Sequence, residues 1–516
     1  MNVHSVGAGR DFGSIGDALK AAAAGDTVVV YGGVYHEAVV MDVRGVALIA
    51  ADGESVTIDG RYGPYLFGDE NYTTSRGWKA RPGELPAANA DNARRGGWVT
   101  PGTINERGYH SLVRLEADGT TLSGVKLRNS SGRFLVIEGD GCRAEDCTLD
   151  FCYGGAINVA TGSVGTILSG LTVTRSSVKK FDPGAPGAGP DAVATTLIDH
   201  GTDTTIEDCI ICYNFGEGIS ADKGSIRPII RRNVIHTNYH WSLGFNYTNG
   251  ALIQDNVVYW CDNLIDAMGK DSPADGFVAG SERASAENPK EAYSPNIAIV
   301  GNLFVGYLKR PFVLGGAGRP VQFVDSVIAG NTIIGRATPG KAGPVFTWTA
   351  LAAALHKNTT VRHNVTLWET GSPGPSHQSG GSVEWRDNVY GDYPPAGMRG
   401  AGDVIAEASA LINPFAPILG QFDVYSDELP ATATTFDLGN YRPKAGGPAV
   451  GYGALDPSPV DPPDEPEPPT PDYAPILAAL ESNLAHLETA GMAVGAAVVE
   501  THRLIAWLNE TAAPSK

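Results

Sequence analysis

The stretch that decides the fold is residues 233–258, NVIHTNYHWSLGFNYTNGALIQDNVV, which begins and ends on the same short phrase. Asn233 and Asn256 stand 23 positions apart, and each is followed by two strand-forming residues. The same register recurs at ten positions: Val125, Cys147, Leu171, Cys209, Asn233, Asn256, Asn302, Asn331, Asn364 and Asn388. A sustained period of this length predicts a repeat architecture.

The ten positions of this column are separated by 22, 24, 38, 24, 23, 46, 29, 33 and 24 residues. The spacings indicate a coil of about 23 residues with inserted loops and one coil lost or masked. Coils of this length suit an all-β, single-stranded, right-handed parallel β-helix, whereas the spaced leucines of a leucine-rich repeat are absent. Because coils stack ~4.8 Å apart, we expect the asparagine side chains to hydrogen-bond from coil to coil as a buried ladder.

The composition agrees with a protein that turns often. Gly and Pro number 65 and 34 among 516 residues and interrupt helices, while 42% hydrophobic and 18% charged residues argue against disorder. A net charge of −19 argues against nucleic acid as a partner. We find no apolar stretch of ~20 residues, so we expect no membrane insertion. We also find no signal region at the N-terminus, so we expect the protein to be made in the host cytoplasm without a signal peptide.

The cysteines follow the repeat rather than a metal site. Cys147 and Cys209 occupy the asparagine position, and Cys209-x-x-Cys212 resembles half of a zinc site. Three residues apart on a strand, however, the two thiols point to opposite faces, and no second pair has ligand spacing. We therefore predict packed, reduced thiols, no metal site and no cofactor.

The N-terminus carries a helical pattern and then a strand. Phe12, Ile15, Ala18 and Leu19 lie at helical spacing, which predicts an amphipathic helix that caps the open end of the first coil. This phrase, Gly25-Asp26-Thr27-Val28-Val29-Val30 and Gly33-Val34-Tyr35-His36-Glu37 together resemble the start of the pectate-lyase-like β-helix superfamily.

The resemblance extends over residues 6–455. It includes Phe215-Gly216-Glu217-Gly218-Ile219 and a phrase at 440–451 that is typical of the end of such solenoids. It implies a right-handed parallel β-helix at 1–455, with an inserted loop at 60–110. It does not imply one activity, since the superfamily holds lyases, hydrolases, esterases, epimerases and inert fibres.

Two further segments follow. Residues 456–472 contain eight prolines and six acids, which predicts an extended linker of ~50 Å at 3.1 Å per residue. Residues 473–516 are Ala-rich, and a mostly apolar seam at steps of three and four runs from Leu477 to Leu508. We expect a coiled-coil-like helix that forms a homotrimer or docks on another protein; Gly491 leaves a break into two antiparallel helices open.

One group of candidate site residues comes from aligning the coils. The register places Glu217, His240 and Asp262 on one wall beside the aromatic residues Tyr239 and Trp241. Two carboxylates roughly 5–9 Å apart can flank a glycosidic bond, so Glu217, His240 and Asp262 are candidate catalytic residues. Stacked polar turns that only meet water are the alternative.

Two loops supply other candidates. Trp78 and Trp98 lie among arginines in the loop at 60–110, a combination that suits a glycan-binding platform or packing of the loop onto the solenoid. Lys179, Lys180 and Asp182 could serve a lyase, which needs a base near a neutralised uronate.

The order of modules resembles bacteriophage tail spikes and minor tail proteins. The resemblance implies a virion tail protein that binds a host cell-surface polysaccharide and joins other tail proteins through its C-terminal helix. If the protein is an enzyme, we expect a polysaccharide depolymerase. Two alternatives stay open: a non-viral polysaccharide lyase or glycoside hydrolase of the superfamily, and a purely structural virion component without enzymatic activity.

Overall fold

The computed structural model describes residues 2–60 and 111–455. Gaps in this description fall at 131, 153, 178–194, 223, 266–272, 282–291, 307, 316–320, 337–342, 349–355, 378–380, 407–409 and 423–434. The chain divides into two units, Met1–Pro457 and Ser458–Lys516, and all described residues belong to the first. The linker at 456–472, the segment 473–516, Trp78, Trp98, Lys179, Lys180 and Asp182 therefore lie outside the described residues.

Three parallel sheets run along the first unit, and each strand pairs with strands one coil away. Sheet 1 contains Val3–Val6, Thr27–Val30, Ala47–Ala50, Thr121–Ser123, Arg143–Glu145, Ile167–Ser169, Thr205–Glu207, Ile229–Arg231, Leu252–Gln254, Tyr293–Pro295, Ala298–Val300, Gln322–Ala329, His356–Arg362 and Gly381–Arg386. Sheet 2 contains Gly33–Tyr35, Val56–Asp59, Lys126–Ser130, Thr148–Cys152, Thr172–Thr174, Ile210–Cys212, Val234–His236, Val257–Trp260, Leu303–Gly306, Thr332–Gly335, Val365–Trp368, Val389–Tyr390 and Val404–Ile405. Sheet 3 contains Val39–Met41, Ser111–Leu115, Arg133–Ile137, Ile157–Val159, Thr195–Asp199, Glu217–Asp222, Leu243–Asn246, Phe277–Gly280, Phe312–Leu314, Phe346–Trp348 and Ser376–His377.

The repeat predicted from the sequence is the repeat of the structure, with one correction. Each of the ten column positions immediately precedes a strand of sheet 2. The 46-residue interval does not hide a lost coil, because Val257 pairs directly with Leu303. That interval is one coil with an insertion, and so is the 38-residue interval, in which Thr172 pairs with Ile210.

The asparagine ladder is confirmed. Asn233 Nδ2 donates to Asn256 Oδ1 at 2.9 Å, and Asn256 donates to Asn302 at the same distance. The chain of amide contacts continues through Asn331 and Asn364 to Asn388. Each side chain also bonds backbone carbonyls, so the buried amide groups are satisfied inside the stack.

The turn that holds this ladder has one backbone shape in the ten coils of the column. The residue just before each column position has a positive φ: Gly124, Asp146, Gly170, Asp208, Arg232, Asp255, Gly301, Gly330, His363 and Asp387. Gly and Asp dominate because they adopt the left-handed region at low cost. At Gly301 a Cβ would also lie 2.2 Å from Asp255 Oδ1 of the preceding coil, so no other residue fits there without movement.

Alternate residues of each strand pack into the long central core. In sheet 2, Ile211, Ile235 and Val258 belong to the interior cluster, while Cys212 and Tyr259 point outward. All six cysteines are buried, as predicted. Burial raises the pKa of Cys147 and Cys209 to about 12, so both thiols stay protonated in the column.

A short helix, Ile15–Ala21, forms within the predicted N-terminal phrase. Ser14 caps it, because its Oγ accepts the Asp17 N–H at 3.1 Å. Ile15, Ala18 and Leu19 join the core beside the first strands. That the helix closes the end of the solenoid stays a prediction.

Within the described residues, no helix is long and apolar enough to cross a bilayer.

The end of the described chain does not add coils. Residues 410–422 and 435–455, here called the strap, run antiparallel to each other, with Ile412 N–H bonded to Arg442 O at 3.0 Å. The strap covers the outward side chains of sheet 2, among them Tyr259 and Leu367. The phrase at 440–451, expected to finish the solenoid, therefore lies along its side. Two 3₁₀ turns, Ala396–Met398 and Leu438–Tyr441, belong to this C-terminal part.

Candidate functional site

Polar and aromatic residues lie at or just before the N-terminal ends of successive strands of sheet 3, along the side of the sheet where these strands begin. This edge row consists of Thr195, Glu217, Trp241, Asp275 and Arg310. Thr195 pairs directly with Glu217, and the other steps follow from the registers of the adjoining strands and from backbone hydrogen bonds. Four coil spacings of ~4.8 Å make the row about 19 Å long.

Glu217 is held by two neighbours at the start of its strand. Its Oε2 accepts the Thr195 hydroxyl at 2.6 Å, and its Oε1 lies 3.3 Å from His240 Nδ1. The His240 ring packs on Trp241 with ring centroids 4.5 Å apart. Glu217 is 14% exposed and His240 37% exposed, so a ligand can reach the pair from one side.

The far end of the row is an ion pair. Arg310 donates from Nε to Asp275 Oδ1 at 2.8 Å and from Nη2 to Oδ2 at 2.5 Å. This fork geometry fixes both side chains, and the bond to Asp275 raises the pKa of Arg310, which stays charged. Both side chains are mostly buried, so they form a rigid wall beside Trp241.

Close contact between coils brings Glu217 and Trp241 together. Gly218 N–H donates to Trp241 O at 2.9 Å. A Cβ on Gly218 would lie only 2.0 Å from Ser242 O and 2.9 Å from Ile235 Cγ2. Glycine is therefore required after Glu217 for sheet 3 to stack at this point.

Of the five wall residues predicted from the register, the structure joins three. Glu217, His240 and Trp241 are in contact, as described above. Tyr239 is 6% exposed and packs in the core, so it offers little surface to a ligand. Asp262 has described contacts to Arg336 and Ile418, and no described hydrogen bond or ion pair joins it to Glu217 or His240.

Asp262 instead fastens the strap. Arg336 donates from Nη1 to Asp262 Oδ2 at 2.5 Å, and Ile418 N–H reaches the same oxygen at 3.3 Å. The Asp262 N–H in turn bonds Ile418 O at 2.7 Å. Burial raises the pKa of Asp262, and the bond from Arg336 opposes that shift. These contacts give Asp262 a structural role in the described chain.

Thr195, Asp275 and Arg310 were missed by the sequence analysis. A step of 23 residues from Trp241 leads to Leu264, whereas the structure places Asp275 beside Trp241. The count fails because insertions of unequal length precede the strands of sheet 3. Each row member lies two positions before an inward residue, so aligning the coils on those inward residues would have revealed the row. They are Leu197, Ile219, Leu243, Phe277 and Phe312.

The row can bind a ligand with many hydroxyl groups. Carboxylate oxygens and the histidine supply hydrogen-bonding groups, and the half-buried indole of Trp241 supplies a flat apolar face. The Glu217–His240 pair also has the groups needed to move a proton. Within the described part of the chain, no cluster of His, Cys, Asp and Glu is arranged to hold a metal ion.

The comparisons with known proteins agree with the fold. Residues 111–275 match the family model described as a right handed beta helix region. The three parallel sheets agree with that description, and no curated protein matches the chain. The chain therefore contains a right-handed parallel β-helix.

Three solved structures illustrate the likeness. The surface adhesin PfbA of Streptococcus pneumoniae aligns with a TM-score of 0.50 at 12% identity, over 78% of this chain and 91% of the adhesin. XylC in complex with xylose aligns with a TM-score of 0.48 at 13% identity, over 82% and 88% of the two chains. Pectate lyase Pel9A aligns with a TM-score of 0.43 at 11% identity, over 88% and 96%. At these identities the likeness concerns the fold alone.

Proposed function

We propose that this protein binds an extended polysaccharide along the edge row and serves as a bacteriophage tail spike or minor tail protein. The observation that carries the binding proposal is the row itself. Thr195, Glu217, Trp241, Asp275 and Arg310 present hydrogen-bonding groups and an aromatic face over about 19 Å. This length suits several linked sugar residues better than one small molecule.

The rigidity of the row supports binding. Glu217 is positioned by Thr195, and Asp275 by Arg310, before any ligand arrives. Side chains that are already ordered lose little conformational entropy on binding, which favours affinity. A β-helix also presents such a row along a stiff body, with stacked coils instead of mobile loops.

The viral setting rests on the order of the modules. A β-helix followed by the proline-rich linker and the seam at 473–516 suits a tail protein that joins other tail proteins or forms a homotrimer. Its ligand would then be a host cell-surface polysaccharide. One of the similar β-helices is a surface adhesin, so contact with a cell surface lies within the range of this fold.

Binding is tested with the full chain and purified host polysaccharides by calorimetry. Trp241→Ala should weaken affinity at least ~10-fold, since burying an aromatic face contributes about 1.5–3 kcal/mol. Tyr293→Ala is the matched control, because Tyr293 is 48% exposed on sheet 1. Equal loss in both variants, or none in either, would contradict binding at the row. No binding by the wild type to any host polysaccharide would favour the purely structural alternative.

Depolymerase activity is a second candidate, favoured by the 3.3 Å contact between Glu217 and His240. Glu217→Gln keeps the shape and the hydrogen-bonding reach of the side chain but removes its ability to act as a base. If the row is catalytic, this variant should still bind polysaccharide but release no reducing ends or unsaturated products. Unchanged product release would remove Glu217 from the mechanism, and a wild type that binds without cleaving would leave a binding protein.

A further inference from the structure

A second and shorter asparagine ladder lies at the turn from sheet 2 to sheet 3. Asn214 and Asn238 each follow a strand of sheet 2 by two positions, in neighbouring coils. Asn214 Nδ2 donates to Asn238 Oδ1 at 3.0 Å, and both side chains are completely buried. We call this pair the short ladder. In nearby coils the same position holds Cys152, Ser176 and Cys261.

The short ladder bonds to the coils in the same way as the asparagine ladder before sheet 2, here called the long ladder. Asn214 Oδ1 accepts the Ser176 N–H at 2.9 Å, and Asn214 Nδ2 also donates to Val173 O at 3.1 Å. Asn238 Nδ2 donates to Ile211 O at 3.0 Å. Each amide therefore holds its own turn against the coil before it.

The backbone just before each asparagine of the short ladder is strained. Tyr213 has a φ of 57° and Thr237 a φ of 51°, both in the left-handed region. That region is costly for bulky and β-branched residues, and such conformations persist only where surrounding contacts impose them. Gly and Asp fill most of the corresponding positions of the long ladder. The short ladder supplies hydrogen bonds directly after each strained residue.

Short spans of chain join the short ladder to the edge row. Glu217 follows Asn214 by three residues, and Trp241 follows Asn238 by three. Within these spans the two coils stay in contact, because Tyr239 N–H bonds Asn214 O at 2.8 Å. So short a span cannot absorb a displacement of the asparagine before it. The position of each asparagine therefore sets the position of its row residue.

We propose that Asn214 and Asn238 are positioning residues of the edge row, which hold Glu217 and Trp241 at the spacing that a bound polysaccharide requires. The proposal rests on the function proposed above, since it assigns both asparagines to the same binding row. Neither asparagine touches the ligand, because both are completely buried. They act by ordering their turns before the ligand arrives, which reduces the entropy lost on binding.

Asn214→Cys tests the proposal in the full chain, and Asn364→Cys on the long ladder is its matched control. Cysteine is native to both ladder positions in other coils, at Cys152 and Cys209, so both variants should fold. The two asparagines also make equivalent bonds. Each donates from Nδ2 to the next asparagine at 3.0 Å and accepts a backbone N–H from the preceding coil. Chemical denaturation should therefore show similar losses of stability.

The two variants should differ in binding. Polysaccharide affinity should fall at least ~5-fold in Asn214→Cys and stay at the wild-type value in Asn364→Cys, under conditions where both are folded. Equal affinity of the two variants, whether unchanged or reduced, would overturn the proposal, because a purely structural role affects both ladders alike. Asn238→Ser repeats the test in the turn of Trp241 with the residue type of Ser176, and the same loss is expected.

A second measurement does not need the polysaccharide. In protein labelled with fluorotryptophan, the fluorine signal of Trp241 is the one that Trp241→Phe removes. This signal should shift or broaden in Asn214→Cys and stay unchanged in Asn364→Cys. An unchanged signal in both variants would overturn the proposal. If the wild type binds no polysaccharide, the proposed function fails, and the fluorine spectra still decide whether the short ladder positions Trp241.

Discussion

The two turns that flank sheet 2 in each coil differ in how much their length varies. The turn from sheet 1 to sheet 2 has the same length in all ten coils of the column, with one residue in the left-handed region before each column position. The turn from sheet 2 to sheet 3 varies widely: four residues separate Cys212 from Glu217, but sixteen separate Trp260 from Phe277. The first turn holds the ladder, and the second leads into the edge row.

The difference shows where a solenoid can change without losing its fold. Asn302 donates to Asn331 in the next coil and accepts from Asn256 in the preceding coil, so a ladder residue is constrained by both neighbouring coils. Glu217 bonds Thr195 and meets His240, but these residue types do not repeat along the stack. A recurring residue type, asparagine at six of the ten column positions, therefore marks the structural turn, and unlike residues mark the candidate site.

Breaking the ladder should have the largest effect on stability. Asn302→Ala removes a donor to Asn331 and Ile253 O and an acceptor for Asn256, all buried. Leaving these groups unpaired should lower the free energy of unfolding by about 3 kcal/mol. Chemical denaturation measures this loss of stability, and Asn413→Ala at an exposed position is the control. Similar losses in both variants would mean that the ladder contributes little.

Separating two coils at the row should affect stability and binding together. Gly218→Ala places a Cβ against Ser242 O, and forcing the coils apart should cost about 1–3 kcal/mol. Polysaccharide binding should fall in parallel, because Glu217 and Trp241 no longer keep their spacing. Gly13→Ala is the control, since a Cβ there meets nothing within 4 Å. Normal binding by Gly218→Ala would show that the row tolerates displacement.

Loosening Glu217 alone should affect binding more than stability. Thr195→Val keeps the side-chain shape but removes the hydroxyl that donates to Glu217 at 2.6 Å. We expect affinity to fall ~5-fold, equivalent to about 1 kcal/mol, while the melting temperature changes little. Calorimetry and thermal denaturation measure the two effects. Thr205→Val on sheet 1 should change neither, and an equal response there would refute the role of Thr195.

The smallest effect should come from a charge at the ladder turn. The Arg232 guanidinium bonded to Asp208 holds the pKa of that carboxyl below its ordinary value. Its charge therefore stabilises the fold above the unfolded pKa of ~3.9, and this contribution disappears as pH falls through the lower folded pKa.

Asp208→Asn tests this sign, because Asn tolerates the same left-handed backbone. Nearly half of each side chain is exposed, so the loss at pH 7 should be at most ~0.5 kcal/mol. Denaturation at pH 7 and at pH ~2 compares the variant with the wild type. A difference that grows on acidification would contradict the ion-pair explanation.

Some of the site was readable from sequence and some was not. Glu217 and Trp241 were placed in neighbouring coils because only a short turn separates each from its column position. Asp275 and Arg310 were not, because insertions precede both strands and shift the count. Asp262 was assigned to the wall because the count could not show that its carboxylate turns to Arg336 under the strap.

The amino-acid sequence alone determined the coil length, the parallel stacking and the ladder, because each residue of a repeat meets its own counterpart about 23 positions away. Contacts without a period were decided only in the folded chain. The backbone of Ile418 hydrogen-bonds Asp262, which lies 156 positions earlier in the chain, and no sequence pattern in either segment predicts that contact. The strap over sheet 2 and the full edge row both arise in this way, from side chains that unequal loops bring to one level of the stack.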